Sequence, residues 1–89
     1  MPNVVVYTAK PCGYCTAALR FLREAKSLEV EEVDLTRNVE LRMELIQKTG
    51  HRTVPMIFIN DNFIGGYSEL RDLDAKKELD AMLQTGKEN

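Results

Sequence analysis

The segment Asn3 to Thr8 carries Val4, Val5, Val6 and Tyr7 with few polar interruptions, the composition of a strand covered on both faces. From Tyr14 to Lys26 the rhythm changes. Cys15, Ala18, Leu19, Leu22 and Ala25 recur at helical spacing with Arg20, Arg23 and Glu24 between them, which predicts an amphipathic helix. Val30, Val33 and Leu35 then alternate imperfectly with Glu31, Glu32 and Asp34, so a second strand is expected over Val30 to Leu35. A second helix should run from Asn38, a good N-cap, to about Lys48, with Gly50 placed to stop it. Its apolar pattern is split, Val39, Met43 and Ile46 forming one row and Leu41 and Leu45 another.

Val54-Pro55 introduces Met56-Ile57-Phe58-Ile59, and Asn60-Asp61-Asn62 supplies turn residues before Phe63-Ile64 and a glycine pair, the pattern of a β-hairpin. Pro55 has no N–H to give a ladder, so it belongs at the first position of its strand or on an edge. Helical spacing returns over Ser68 to Leu73 and from about Ala75 to Leu83, while Gly86 to Asn89 reads as a frayed tail. The order is β-α-β-α-β-β-α, without internal repeat or linker. A βαβ unit joined to a hairpin implies an α/β fold, a four-stranded mixed sheet flanked by helices, similar to the thioredoxin-like architecture.

Composition narrows the role. With 89 residues and 44% hydrophobic content, the chain suits one small domain spanning 1–89. Charged residues reach 29% but nearly cancel to a net charge of −2, so no nucleic-acid surface is expected. Met1-Pro2-Asn3 runs straight into a strand, without the basic leader and apolar stretch of a secretory signal, so the expected compartment is the cytoplasm. No apolar run approaches the roughly 20 residues that span a bilayer, and no membrane partner is expected.

In a reducing compartment a permanent disulfide is disfavoured, and cysteines three positions apart would close very little chain. Cys12-Gly13-Tyr14-Cys15, at the head of a helix after a strand, therefore reads as a redox-active centre that passes through a transient disulfide bond. At a helix start the first N–H groups lack carbonyl partners and the dipole is positive, which favours a thiolate at Cys12. Positions three apart share a helix face, so the two sulfurs can bond, with Cys12 nearer the open end as attacker. Cys15 either resolves the mixed disulfide or serves as a small core residue at the start of the apolar stripe. A structural zinc site wants four ligands, and with no second cysteine pair and His51 as the only histidine no metal is expected.

Two further corners bear on ligands. Thr53-Val54-Pro55 at a strand start reads as an edge with a turn, and an X–Pro bond is cis in only about 5–6% of cases. Gly65-Gly66 followed by Ser68 at a helix start brings backbone N–H groups together where a ligand can approach, a place suited to an anion or to an ordinary N-cap.

Three blocks, in order and well separated, carry a family resemblance. They are Val4 to Thr8 leading into Pro11-Cys12-Gly13-Tyr14-Cys15, then Thr49-Gly50-His51-Arg52-Thr53-Val54-Pro55, then Gly65-Gly66-Tyr67-Ser68-Glu69-Leu70. Over almost its whole length the chain resembles a glutaredoxin. The resemblance implies that Pro55 is cis and faces the cysteines, leaving the Val54 backbone to pair with the cysteine of glutathione like an added strand. It implies that Gly66, Tyr67 and Ser68 hold the γ-glutamyl carboxylate, that Tyr14 covers the site, and that Lys10, Gln47, Arg52 and Thr53 assist at the glutathione site. Glu69 stands where an aspartate is common. The family often has lysine three positions before the first cysteine, where this chain has Ala9, its lysine being Lys10. His51 matches no ionisable partner in the pattern and reads as an exposed turn residue.

The activity implied is that of a glutathione-dependent thiol–disulfide oxidoreductase serving electron transport and redox homeostasis. It would deglutathionylate mixed disulfides through Cys12 and reduce protein disulfides through Cys12 with Cys15. Glutathione is then the co-substrate, disulfide or glutathionylated proteins are the partners, and the protein is a monomer. An alternative follows from Gly13, where familiar dithiol members have proline. Some members with glycine here hold a [2Fe-2S] cluster between two protomers through the first cysteine of each and two glutathiones, which would make this chain a cluster carrier or sensor. A reductase fed by a flavoprotein, as thioredoxins are, fits Tyr14 and the Gly66-Tyr67-Ser68 corner less well.

Overall fold

Val4, Val6 and Thr8 are buried on one side of the first strand while Tyr7 packs on the other, so the valine run needs cover on both faces. It receives this cover in a computed structural model that describes residues 2–85. The tail reading for Gly86 to Asn89 lies outside the described residues. Strand β1 (Val4–Thr8) lies inside a four-stranded sheet, with β2 (Glu31–Asp34) on one side and β3 (Met56–Ile59) on the other. The order is β2-β1-β3-β4, β4 being Asn62–Gly65. β1 runs parallel to β2 and antiparallel to β3, and β3 pairs antiparallel with β4, so the expected mixed sheet is present.

Helices cover both faces. Helix α1 (Gly13–Arg20), α3 (Tyr67–Ala75) and α4 (Leu79–Thr85) form one layer. Ala18, Leu22, Leu70, Leu79 and Leu83 pack there on Val4, Val6, Ile57 and Ile59. Helix α2 (Val39–Thr49) covers the other face, where Leu35, Leu45 and Met56 are buried with Val33, Leu41, Ile46 and Phe58 against them. The split pattern of α2 is thereby resolved: the Leu41–Leu45 row and Ile46 turn inward, and Val39 and Met43 stay exposed. Asn38 caps α2 by accepting from the Leu41 amide at 3.1 Å, and Gly50 ends it with φ 75°.

Three boundaries differ from the periodicity. The helix expected over Tyr14 to Lys26 is α-helical only to Arg20 and continues as a π-helical turn over Phe21–Ala25. There the Lys26 amide reaches back five residues to the Phe21 carbonyl at 3.1 Å, and the wider turn keeps Leu22 in the core while the chain leaves toward β2. The hairpin turns on two residues, not three. Asn60 and Asp61 both have positive φ, 50° and 68°, which frees Asn62 to pair with Ile59. Ala75 ends α3 instead of opening the last helix, because Lys77, at φ 63°, breaks the chain before Leu79.

Candidate active site

β1 delivers the chain to the site at its C-terminal end. The following loop is pinned to the end of β2 by the Lys10 amide, which donates to Thr36 Oγ1 at 2.9 Å, and it contains a cis Lys10–Pro11 bond that the sequence reading did not include. Cys12 is the N-cap of α1. Its extended backbone (φ −156°, ψ 106°) lets its own side chain cap the helix, and Sγ accepts the Cys15 amide at 3.1 Å. The same sulfur lies 3.6 Å from the Val54 carbonyl oxygen, to which the thiol donates.

Both cysteines are free thiols, but their surroundings differ. Cys12 is half-buried at the helix mouth, whereas Cys15 is 4% exposed on the inward face of α1. Burial, and secondarily the hydrogen bond with Cys12, push the Cys15 thiol up from 9.0 to about 12. At neutral pH Cys15 therefore keeps its proton, and the sulfur that a substrate can reach is Cys12. Cys15 is also a core residue at the start of the apolar stripe of α1.

Across from the sulfur, Val54–Pro55 is cis and Pro55 is buried at the entrance to β3. Val54 lies outside the strand, so the ladder that begins at Met56 does not engage it, and its carbonyl meets only the Cys12 thiol among the hydrogen bonds of the groove. From there a groove of about 430 Å³ runs between Thr53, Val54 and Pro55 on one bank and Gly66, Tyr67, Ser68 and Glu69 on the other, with Tyr14 and His51 at its sides. It ends on the first turn of α3. The Glu69 carboxylate accepts the Gly66 amide at 2.6 Å, and Ser68 is the second residue of the helix instead of its cap. A Cβ at Gly66 would come within 3.4 Å of Glu69 Oε1, His51 Nε2 and the Pro55 oxygen, so glycine keeps this corner open.

A strand, a Cys-x-x-Cys helix mouth and a cis-proline bank stand together here, and the glutaredoxin family model matches residues 4–64. The chain belongs to the glutaredoxin family. A Pseudomonas aeruginosa glutaredoxin is 40% identical over 83 residues, 93% of this chain and 98% of that one. Glutaredoxin 3 of Escherichia coli K12 is 39% identical over 84 residues, 94% of this chain and 100% of that protein. Among solved structures, a buckwheat glutaredoxin–glutathione complex superposes with a TM-score of 0.87 at 27% identity, covering 96% of this chain and 79% of that one. As a glutaredoxin with the thioredoxin-like fold, the chain is a thiol–disulfide oxidoreductase.

Of the residues that the sequence singled out, this glutaredoxin gathers Tyr14, Thr53, Val54, Pro55, Gly66, Tyr67 and Ser68 around one groove, with Cys12 against Val54. The Tyr14 and Tyr67 ring centres are 6.0 Å apart, and Tyr14 is 68% exposed. Lys10, Gln47 and Arg52 are exposed and do not line this groove. The Lys10 ammonium lies 3.8 Å from Asp34, whose carboxyl is held below its ordinary range by hydrogen bonds from Thr36 and, less, by the lysine. His51 is a correction. It is half-buried with its ring edge-on to Phe63 (5.4 Å) and Nε2 3.0 Å from Thr53 Oγ1, and it lines the groove. The aromatic row Tyr7, Phe58 and Phe63 that receives it is cross-strand packing, invisible before the register is known.

Proposed function

We propose that this glutaredoxin uses glutathione to reduce glutathione mixed disulfides through Cys12, and protein disulfides through Cys12 with Cys15. The observation that carries the reading is the groove that runs from Val54, whose carbonyl Cys12 touches, to the first turn of α3. Its Val54 bank offers an extended tripeptide a backbone to pair with, and its far end offers a carboxylate the first-turn amides of α3 beyond Gly66, whose own amide Glu69 takes. That a similar protein was solved as a glutathione complex supports the same ligand. In the reaction the Cys12 thiolate attacks the glutathione sulfur, a Cys12–glutathione disulfide forms, and the substrate leaves as a thiolate that takes a proton from water. A second glutathione thiolate then attacks the glutathione sulfur, releasing oxidised glutathione and the Cys12 thiolate. On a protein disulfide, the Cys12 thiolate attacks one sulfur and releases the other as a thiolate, forming a Cys12–protein mixed disulfide; Cys15 then gives up its proton and attacks Cys12 Sγ, the protein leaves as a dithiol, and a Cys12–Cys15 disulfide remains for glutathione to reopen.

The test is a pair of variants assayed with glutathione and its reductase. Cys12→Ser abolishes both activities. Cys15→Ser retains much of the mixed-disulfide activity and loses most direct protein-disulfide reduction, and equal loss of both would overturn the division of labour. Toward a [2Fe-2S] cluster this chain would supply one sulfur, Cys12, at an open helix mouth where a Cβ on Gly13 would meet nothing within 4 Å. The remaining ligands would come from glutathione and a second copy, so the enzyme reading needs fewer parts from outside the chain.

A further inference from the structure

Tyr67 is a wall shared by two spaces. On its far side from the groove, a second cleft of about 440 Å³ opens between α1 and α3, bounded by Phe21, Arg20, Glu24, Arg71 and Tyr67 itself. The Arg71 guanidinium lies over the Phe21 ring, 4.7 Å from its centre, and Nη1 donates to the Tyr67 hydroxyl at 2.9 Å. A guanidinium has five N–H donors in one plane, so stacking on Phe21 and one bond to Tyr67 leave an edge free for a carboxylate. The group is held in place before any ligand arrives.

The charges around the cleft favour an anion. Arg20 lies 3.9 Å from Glu24, with both side chains more than 70% exposed, a pairing of little energy that a better-placed carboxylate can displace. Lys26 also approaches the Phe21 ring, at 6.0 Å, but Asp74 at 2.6 Å and Asp80 at 3.2 Å already neutralise it. Two arginines against one glutamate leave the cleft positive. It shares the Tyr67 wall with the groove, and the Tyr67 ring also meets Tyr14, two residues from Cys12.

We propose that the α1–α3 cleft receives the polypeptide flanking the substrate cysteine and selects an acidic side chain there, through Arg71 stacked on Phe21 and through Arg20. The proposal rests on Cys12 as the attacking sulfur. An extended chain covers roughly 3.3–3.6 Å per residue, so the selected acid lies a few residues from the cysteine held over Tyr14 and Tyr67.

The test uses glutathionylated peptides, identical except for Glu, Gln or Lys two, three or four positions from the cysteine, on either side. For the whole protein, kcat/KM is expected to favour Glu over Lys by about three- to tenfold at one of these positions, a preference that fades in high salt. Arg20→Gln and Arg71→Gln should each reduce the ratio, and the double variant should bring it to about one. Arg20→Glu should invert it. Turnover of all peptides without charge preference, or a preference that survives the double variant, overturns the cleft as a docking site. Failure to turn over any peptide, with Cys12 intact, overturns the functional reading and the cleft proposal with it.

Discussion

Cys12 and Cys15 are the same residue type three positions apart, and the structure makes them chemically unequal. Cys12 caps α1 and touches the Val54 carbonyl at the groove's bank, while Cys15 sits on the inward face with its thiol pushed up to about 12. That shift is also a statement about stability. Unfolded, the Cys15 thiol ionises near 9.0, whereas folded it holds its proton until about 12. Between these values the unfolded chain binds fewer protons, so the contribution is complete below pH 9 and is lost as pH rises toward 12. The urea midpoint should therefore fall between pH 8.5 and pH 10, and Cys15→Ala, whatever it does to the midpoint at pH 8.5, should flatten that fall. An unchanged slope in the variant would mean that burial of this thiol is not coupled to folding. The sequence marked Cys12 and Cys15 by spacing alone. It did not mark His51, because what meets that ring in the groove is Phe63, a β4 side chain twelve residues away.

At the scale of elements, the glycine pair between β4 and α3 divides its duties. Gly66 keeps the groove corner open, whereas Gly65 has φ 115° and a Cβ there would stand 2.7 Å from Glu69 Cγ and 2.8 Å from its Oε1. Glu69 cannot retreat without weakening its bond to the Gly66 amide, the cap of α3. Gly65→Ala is expected to lower stability by about 1–3 kcal/mol in chemical denaturation and, on the proposed function, to raise the KM for glutathione through a displaced α3 start. Equal stability of variant and parent would show that the corner relaxes. Element existence and order were legible from periodicity, because the valine run, the helical stripes and the turn residues each act locally. Where an element ended was less so. The π-helical turn at Phe21–Ala25, the two-residue hairpin and the break at Lys77 depend on which face must reach the core, and on backbone angles no apolar pattern encodes.

At the scale of the whole molecule, the α1–α3–α4 layer is tied together by one cation. Lys26, at the end of the π-helical turn, reaches Asp74 on α3 and Asp80 on α4, and the bond from Asp74 raises its pKa above the ordinary lysine value. Because the Lys26 and Asp74 side chains are half-buried, Lys26→Met should lower stability by about 1 kcal/mol in denaturant, at the upper end of what an exposed pair contributes. Identical midpoints would mean that apolar packing alone holds the layer. No helix among the described residues is long and apolar enough to cross a membrane. The sequence by itself determined the α/β order, the two cysteines and the three blocks that mark a glutaredoxin, since these are properties of neighbours along the chain. Only the tertiary structure decided which sulfur is buried, how Val54 and the α3 start face one groove, and that Phe21 meets Arg71. Those are distances between residues brought together by the sheet and its helices, and the chain carries no local signal for them.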